Sequence, residues 1–122
     1  MKIRIKGNSI RFRLTQSEVK TLTEIGFIEE KVLFESNAFK YAIQITTYHE
    51  KMNATFSEGK ITLHIPRAKI EGWYTSTIIG FENVQELSSG DKLYLLLEKD
   101  FTCLDNTIED QSDNYPNPKT LT

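Results

Sequence analysis

The chain is poor in the side chains from which most active sites are built. It has one cysteine and two histidines in 122 residues. Cys103 has no second cysteine to pair with, which excludes an internal disulfide and leads us to expect a reducing, cytoplasmic setting. A tetrahedral zinc site is excluded on supply, because one thiol and the well-separated His49 and His64 do not make a ligand set. Glycine and proline number only six and three, too few for a collagen-like or low-complexity chain. No Gly-rich phosphate loop, no Ser-His-Asp order and no redox pair of cysteines occurs, so nothing in the sequence calls for a cofactor. No stretch reaches the roughly 18 apolar residues of a membrane span. The opening MKIRIKGNSIRFRL alternates charge and hydrocarbon where a secretory leader needs a continuous apolar run, and no membrane partner is expected.

What is present fits one globular domain. The composition is 39% hydrophobic, 26% charged and 11% aromatic, and the length suits a single core. We expect one domain over 1–122, with a body at 1–100 and an irregular acidic segment at 101–122. Net charge is only −2, but it is unevenly spread. Residues 1–20 hold six cations against Glu18, whereas residues 98–122 hold six carboxylates against Lys99 and Lys119. The two ends are electrostatically opposite.

Periodicity gives the elements. Lys2 to Lys6 and Ile10 to Leu14 alternate apolar and basic residues, so each reads as a strand with its cations on one face. Thr15-Gln16-Ser17-Glu18 has capping-box spacing, Val19, Leu22 and Ile25 recur at helical intervals, and Gly26 stands where a helix ends. Phe27 to Phe34, Phe39 to Ile45, Asn53 to Phe56 and Ile61 to Ile65 return to period two, with a hairpin at Glu58-Gly59, and predict a four-strand antiparallel meander. A short helix over 66–74 follows, with Pro66 in its first turn. Ile78 to Val84 predicts a strand. Leu93-Tyr94-Leu95-Leu96-Leu97 predicts a central strand covered on both faces. The fold class expected is α+β: a bent antiparallel sheet or partly closed barrel of about seven or eight strands, two short helices and an irregular C-terminal strap.

Three stretches carry a resemblance. MKIRIKGNSIRFRLTQSEV, GFIEEKVLF and EKDFTCLDNTIEDQSDNYPNP resemble a family of small bacterial proteins of Bacteroidetes type, a domain of unknown function. The resemblance runs over nearly the full length and implies a free-standing domain. It brings no catalytic residues.

The candidate residues form two sets. Arg4, Arg11 and Arg13 concentrate positive potential on the first strands and suit a carboxylate or phosphate, with Glu29 and Lys31 as the acidic and basic groups that a ligand site would set opposite them. Cys103, Asp105, Glu109, Asp110, Asp113 and Tyr115 form the strap, in which acidic groups run back to the arginines and Tyr115 fills an apolar gap. Asp105 to Ile108 does not supply a calcium loop, so no metal is expected. The first reading of function is a non-enzymatic binding or interaction domain. The second is a small enzyme or ligand-binding domain for a phosphorylated or anionic metabolite at the basic strands. Its partner would be an anionic small molecule or a protein. The acidic isoelectric point of about 5.7 weighs against nucleic acid, and an uncovered sheet edge would offer a surface for a homodimer.

Overall fold

The computed structural model describes residues 1–101 and 112–116. Strands β1 (Lys2–Lys6) and β2 (Ser9–Leu14) form a hairpin, and helix α1 (Gln16–Ile25) follows. Glu18 fixes the helix start: its Oε1 accepts from the Thr15 N–H at 2.9 Å, and its other oxygen meets the Met1 amino group. At the far end the Gly26 N–H closes on the Leu22 carbonyl at 2.8 Å. The helix buries Val19 and Leu22, one face only, as the apolar spacing requires.

Four strands come next: β3 (Phe27–Leu33), β4 (Ala38–Thr46), β5 (Asn53–Ser57) and β6 (Lys60–Pro66). The two-residue turn between β5 and β6 places Glu58 at φ 52° and Gly59 at φ 73°, the left-handed pair that matches the twist of a tight hairpin. The helix expected over 66–74 is shorter than its spacing implies. It runs as α2 (Arg67–Ile70), breaks at Gly72 with φ 77°, and resumes as a single 3₁₀ turn at Trp73–Thr75. Glycine relieves the steric cost of that left-handed step, so the break falls there. Strands β7 (Gly80–Glu86) and β8 (Lys92–Lys99) complete the regular structure of the described residues.

The class is mixed α+β with two short helices, but the strands form two four-stranded sheets and no closed barrel. In the first sheet the order is β1-β2-β8-β7, and in the second it is β3-β4-β6-β5. Each sheet is built from two antiparallel hairpins joined through a parallel central pair, β2 with β8 and β4 with β6. The expected meander is therefore corrected: β6 inserts between β4 and β5. Either order gives β4 a neighbour on each edge; the more apolar β6, with Ile61, Leu63 and Ile65 buried, takes the inner place, and β5, with only Ala54 buried, takes the edge. Strand β8 is central, as its apolar run requires, but it is covered on one face only. Leu95 and Leu97 are buried while Tyr94 is 50% exposed.

The core lies between the sheets. Phe12, Leu14, Leu95 and Leu97 from one meet Ile43, Ile45, Leu63 and Ile65 from the other. Because the central pairs are parallel, the two hairpin turns of each sheet lie at one end. The helices, Trp73 and Tyr115 cap the other, with the Trp73 and Phe81 rings tilted against each other at 5.0 Å between ring centres. Side chains close the long edges. Asn83 and Gln85 of β7 reach the backbone of Met52 and Ala54. On the opposite edge the Met1 amino group, Glu30 and the Tyr41 hydroxyl join β1 to β3.

Candidate functional site

The strand alternation that points Ile3, Phe12 and Leu14 into the core sends Lys2, Arg4, Lys6, Arg11 and Arg13 to the outer face of the first sheet. Register then sets these cations against one another. Lys2 lies directly opposite Arg13, and Arg4 directly opposite Arg11. Like charges on facing strand positions repel, so the arrangement costs stability unless an anion joins it. Among the described residues two carboxylates do so. Glu98, paired in register with Arg13, accepts from Arg13 Nε at 2.8 Å and lies 3.5 Å from Arg11 Nε. Lys2 Nζ lies 3.2 Å from Asp100 Oδ2. Arg4 makes no ion pair among the described residues.

Two shallow hollows of about 190 Å³ each open over these cations, one lined by Arg4, Lys6, Ser9 and Arg11, the other by Lys2, Ile3, Arg4, Arg11 and Arg13. Ser9 also borders a third hollow of about 440 Å³, where Tyr94, Leu96 and Val84 form an apolar shelf beside Glu82. The face is thus cationic over β1 and β2, and over β8 and β7 it sets apolar Tyr94, Leu96 and Val84 among the carboxylates of Glu82 and Glu98. Tyr94 and Leu96 escape a sequence reading that buries both faces of the 93–97 run. The available signal lies at the ends of the run, where charged Lys92 and Glu98 share parity with Tyr94 and Leu96.

Glu29 and Lys31 do not join the arginines. Both stand on the outer face of the second sheet, where Glu29 Oε1 accepts from Lys60 Nζ at 2.9 Å and Lys31 faces Lys40 across the strand pair. Glu30 turns instead toward the Met1 amino group and the Tyr41 hydroxyl, and burial together with that carboxylate raises the Tyr41 pKa above its ordinary value. No carboxylate of β3 therefore stands across a cavity from Arg4, Arg11 and Arg13.

Of the strap residues, Cys103, Asp105, Glu109 and Asp110 lie outside the described residues. Asp113 and Tyr115 lie inside them, at the first turn of α1 and the end of β8. The Asp113 carboxylate accepts from the Ser17 hydroxyl at 2.5 Å and the Ser17 N–H at 3.3 Å, and its backbone carbonyl accepts from the Gln16 N–H at 3.1 Å. These bonds, with the Thr15 hydroxyl, hold the Asp113 pKa below its usual value. The carboxylate completes the exposed donors of a helix start. Its partners among the described residues belong to the helix start, and Glu98 is the carboxylate on Arg11 and Arg13. Tyr115 is buried beside Phe101, with which it forms a parallel bridge, and its ring lies 4.8 Å from Lys99 Nζ. Lys99 is itself buried, donates to the Ser76 carbonyl at 2.7 Å, and has its pKa lowered by that burial.

The histidines meet on the outside of the second sheet, which sequence spacing did not foretell. Their rings are 6.4 Å apart, and His64 Nε2 is 3.1 Å from the Thr55 hydroxyl. Burial and the neighbouring His49 lower the His64 pKa. Among the described residues no three His, Cys, Asp or Glu side chains converge as a metal site requires, and no helix is long and apolar enough to cross a membrane.

Comparison with known proteins gives the chain its class. A family of unknown function (DUF7009) matches residues 1–119, and the chain belongs to that family. No curated protein and no solved structure matches.

Proposed function

We propose that the chain acts by binding rather than by catalysis, and that its ligand is a small multiply charged anion, phosphorylated or polycarboxylate, held on the outer face of the first sheet. The observation that carries this reading is the direct opposition of Arg4 and Arg11, one rung from Lys2 and Arg13, with Glu98 shared between two of the arginines. A surface selected for stability alone sets unlike charges on facing positions. Here an incoming anion relieves the repulsion, and guanidinium groups offer it paired N–H donors. Lys6 and Ser9 border the same hollow and supply further donors.

Calorimetric titration with tripolyphosphate and with citrate, at low and at high salt, tests the proposal. Binding of at least one of them at low salt is expected, weakening steeply as salt screens the face, and falling at least tenfold in Arg4→Glu. Absence of heat and of thermal stabilisation with both anions would refute it.

A further inference from the structure

The second candidate site is the hairpin end of the sandwich. Strand alternation aims Ile5, Val32 and Phe56 between the sheets, each facing a core-side partner, Ile10, Phe39 and Ile61. At the other end, residues of this orientation are sealed by α1, Trp73 and Tyr115. At the hairpin end no helix among the described residues covers them. Ile5 stays 54% exposed, Val32 46% and Phe56 69%. Between the layers lies a cavity of about 390 Å³, walled by Ile10, Leu87 and Leu93 from the first sheet and by Phe39, Phe56 and Ile61 from the second, with Ala54 and Thr55 beside them. That volume falls in the range of small-molecule sites, roughly 300–1,000 Å³.

The lining decides what enters. Among the described residues no charged side chain borders the cavity. The one polar residue along it, Thr55, turns its hydroxyl away to His64 Nε2 on the outer side of the second sheet. A polar or ionic group moving in would lose its water and find no partner, which is unfavourable by several kcal/mol for an uncompensated hydroxyl or amide (~2–7) and far more for a charge. We infer that this cleft binds the uncharged hydrocarbon part of a small molecule, an alkyl chain or aromatic ring system, with any polar group of the ligand left at the mouth. The occupant is a small molecule because the space is a bounded, open-mouthed cleft of small-molecule volume between two facing layers, where a standard protein interface buries a far broader surface. The site is separate from the cationic outer face and stands whether or not that face binds anions.

The test uses neutral phenylnaphthylamine, whose fluorescence rises in an apolar site, with decanol as competitor. Saturable binding of one probe per chain, displaced by decanol, is expected. Phe56→Asp sets a carboxylate at the exposed mouth and should weaken the probe at least tenfold. Ile25→Asp adds the same charge to an exposed apolar position at the opposite end and should leave binding intact. Ala54→Leu fills the cavity from within and should block the probe while holding or raising Tm, so the result does not depend on Phe56→Asp folding. A non-saturating signal, or equal binding by the filled variant, would overturn the inference. Sedimentation is run on the same samples. A dimer that Phe56→Asp or Ala54→Leu dissociates would assign the cleft to a second copy and overturn it equally.

Discussion

The side-chain amide of Gln85 takes the place of a neighbouring strand for Ala54. The Ala54 N–H donates to Gln85 Oε1 at 2.7 Å, and Gln85 Nε2 donates to the Ala54 carbonyl at 3.2 Å. Two residues back along β7, Asn83 Nδ2 donates to the Met52 carbonyl at 2.7 Å. The edge strand β5 thus finds partners for backbone groups that face away from β6, and side chains join the two sheets along one side. Truncating Gln85 to Ala leaves a part-buried donor and acceptor unmet, a loss of about 1–3 kcal/mol. Urea unfolding of Gln85→Ala and Asn83→Ala should show lower midpoints with unchanged slopes. A Gln85→Ala midpoint equal to the parent's would mean that water serves Ala54 as well as the amide does.

Arg4 and Arg11 predict a trade of stability against binding. Replacing Arg4 with Glu sets a carboxylate opposite Arg11, and an unlike cross-strand pair is favourable by about 0.2–1 kcal/mol where a like pair is unfavourable. Arg4→Glu should therefore raise Tm modestly in buffer without added anion, and lose the stabilisation that tripolyphosphate gives the parent. Glu98→Gln should do the reverse, lowering Tm as Arg11 and Arg13 lose their shared carboxylate, and strengthening anion binding. Differential scanning calorimetry with and without the anion reads both effects.

The faces of the fold were legible in the sequence, and its neighbours were not. Alternation over Phe39–Ile45 and Ile61–Ile65 assigns the buried side of β4 and β6 correctly, and Gly26 and Glu58-Gly59 mark a helix end and a hairpin. Period two says which way a side chain points and nothing of which strand lies alongside. The parallel pairs bring Ser9 beside Tyr94 and Lys40 beside Lys60, the first across most of the chain. The candidate site divides in the same way. Arg4, Arg11 and Arg13 share a face because of local spacing, whereas Glu98 reaches Arg13 from 85 residues away. Glu29 and Lys31 were expected near the arginines, and the two-sheet arrangement sends them to a different surface.

Tyr115 predicts an alkaline weakness. Its hydroxyl is buried with no hydrogen-bond partner among the described residues, and burial, followed by the charges of Tyr74 and Asp113, pushes its pKa from 10.0 up to about 12. The folded protein keeps this proton between those values while the unfolded chain releases it, so stability falls as pH rises from about 10 toward 12. Full expression of a shift of that size corresponds to roughly 2–3 kcal/mol. Tyr115→Phe removes the titrating group and an unmet hydroxyl together. It should match or exceed the parent's stability at neutral pH and show a flatter decline over the alkaline window. Parallel decline of the two proteins, followed by urea midpoints at stepped pH, would assign the alkaline loss to other groups.

Gly80 holds β7 against β8 by having no side chain. It pairs in register with Glu98, and a Cβ placed there would run into the Leu97 carbonyl oxygen and lie 2.8 Å from Glu98 Cβ. The obstacle is backbone, which cannot rotate away as a flexible side chain would. Gly80→Ala must therefore shift one strand, strain the adjacent bond from the Lys99 N–H to the Ile79 carbonyl, now 2.9 Å, and displace Glu98 from the arginines. Overpacking of this kind is unfavourable by about 1–3 kcal/mol. Amide hydrogen exchange should show faster exchange at Lys99 in Gly80→Ala, alongside a lower Tm. An unchanged Tm with unchanged protection at Lys99 would show that the strand pair has room for the methyl group.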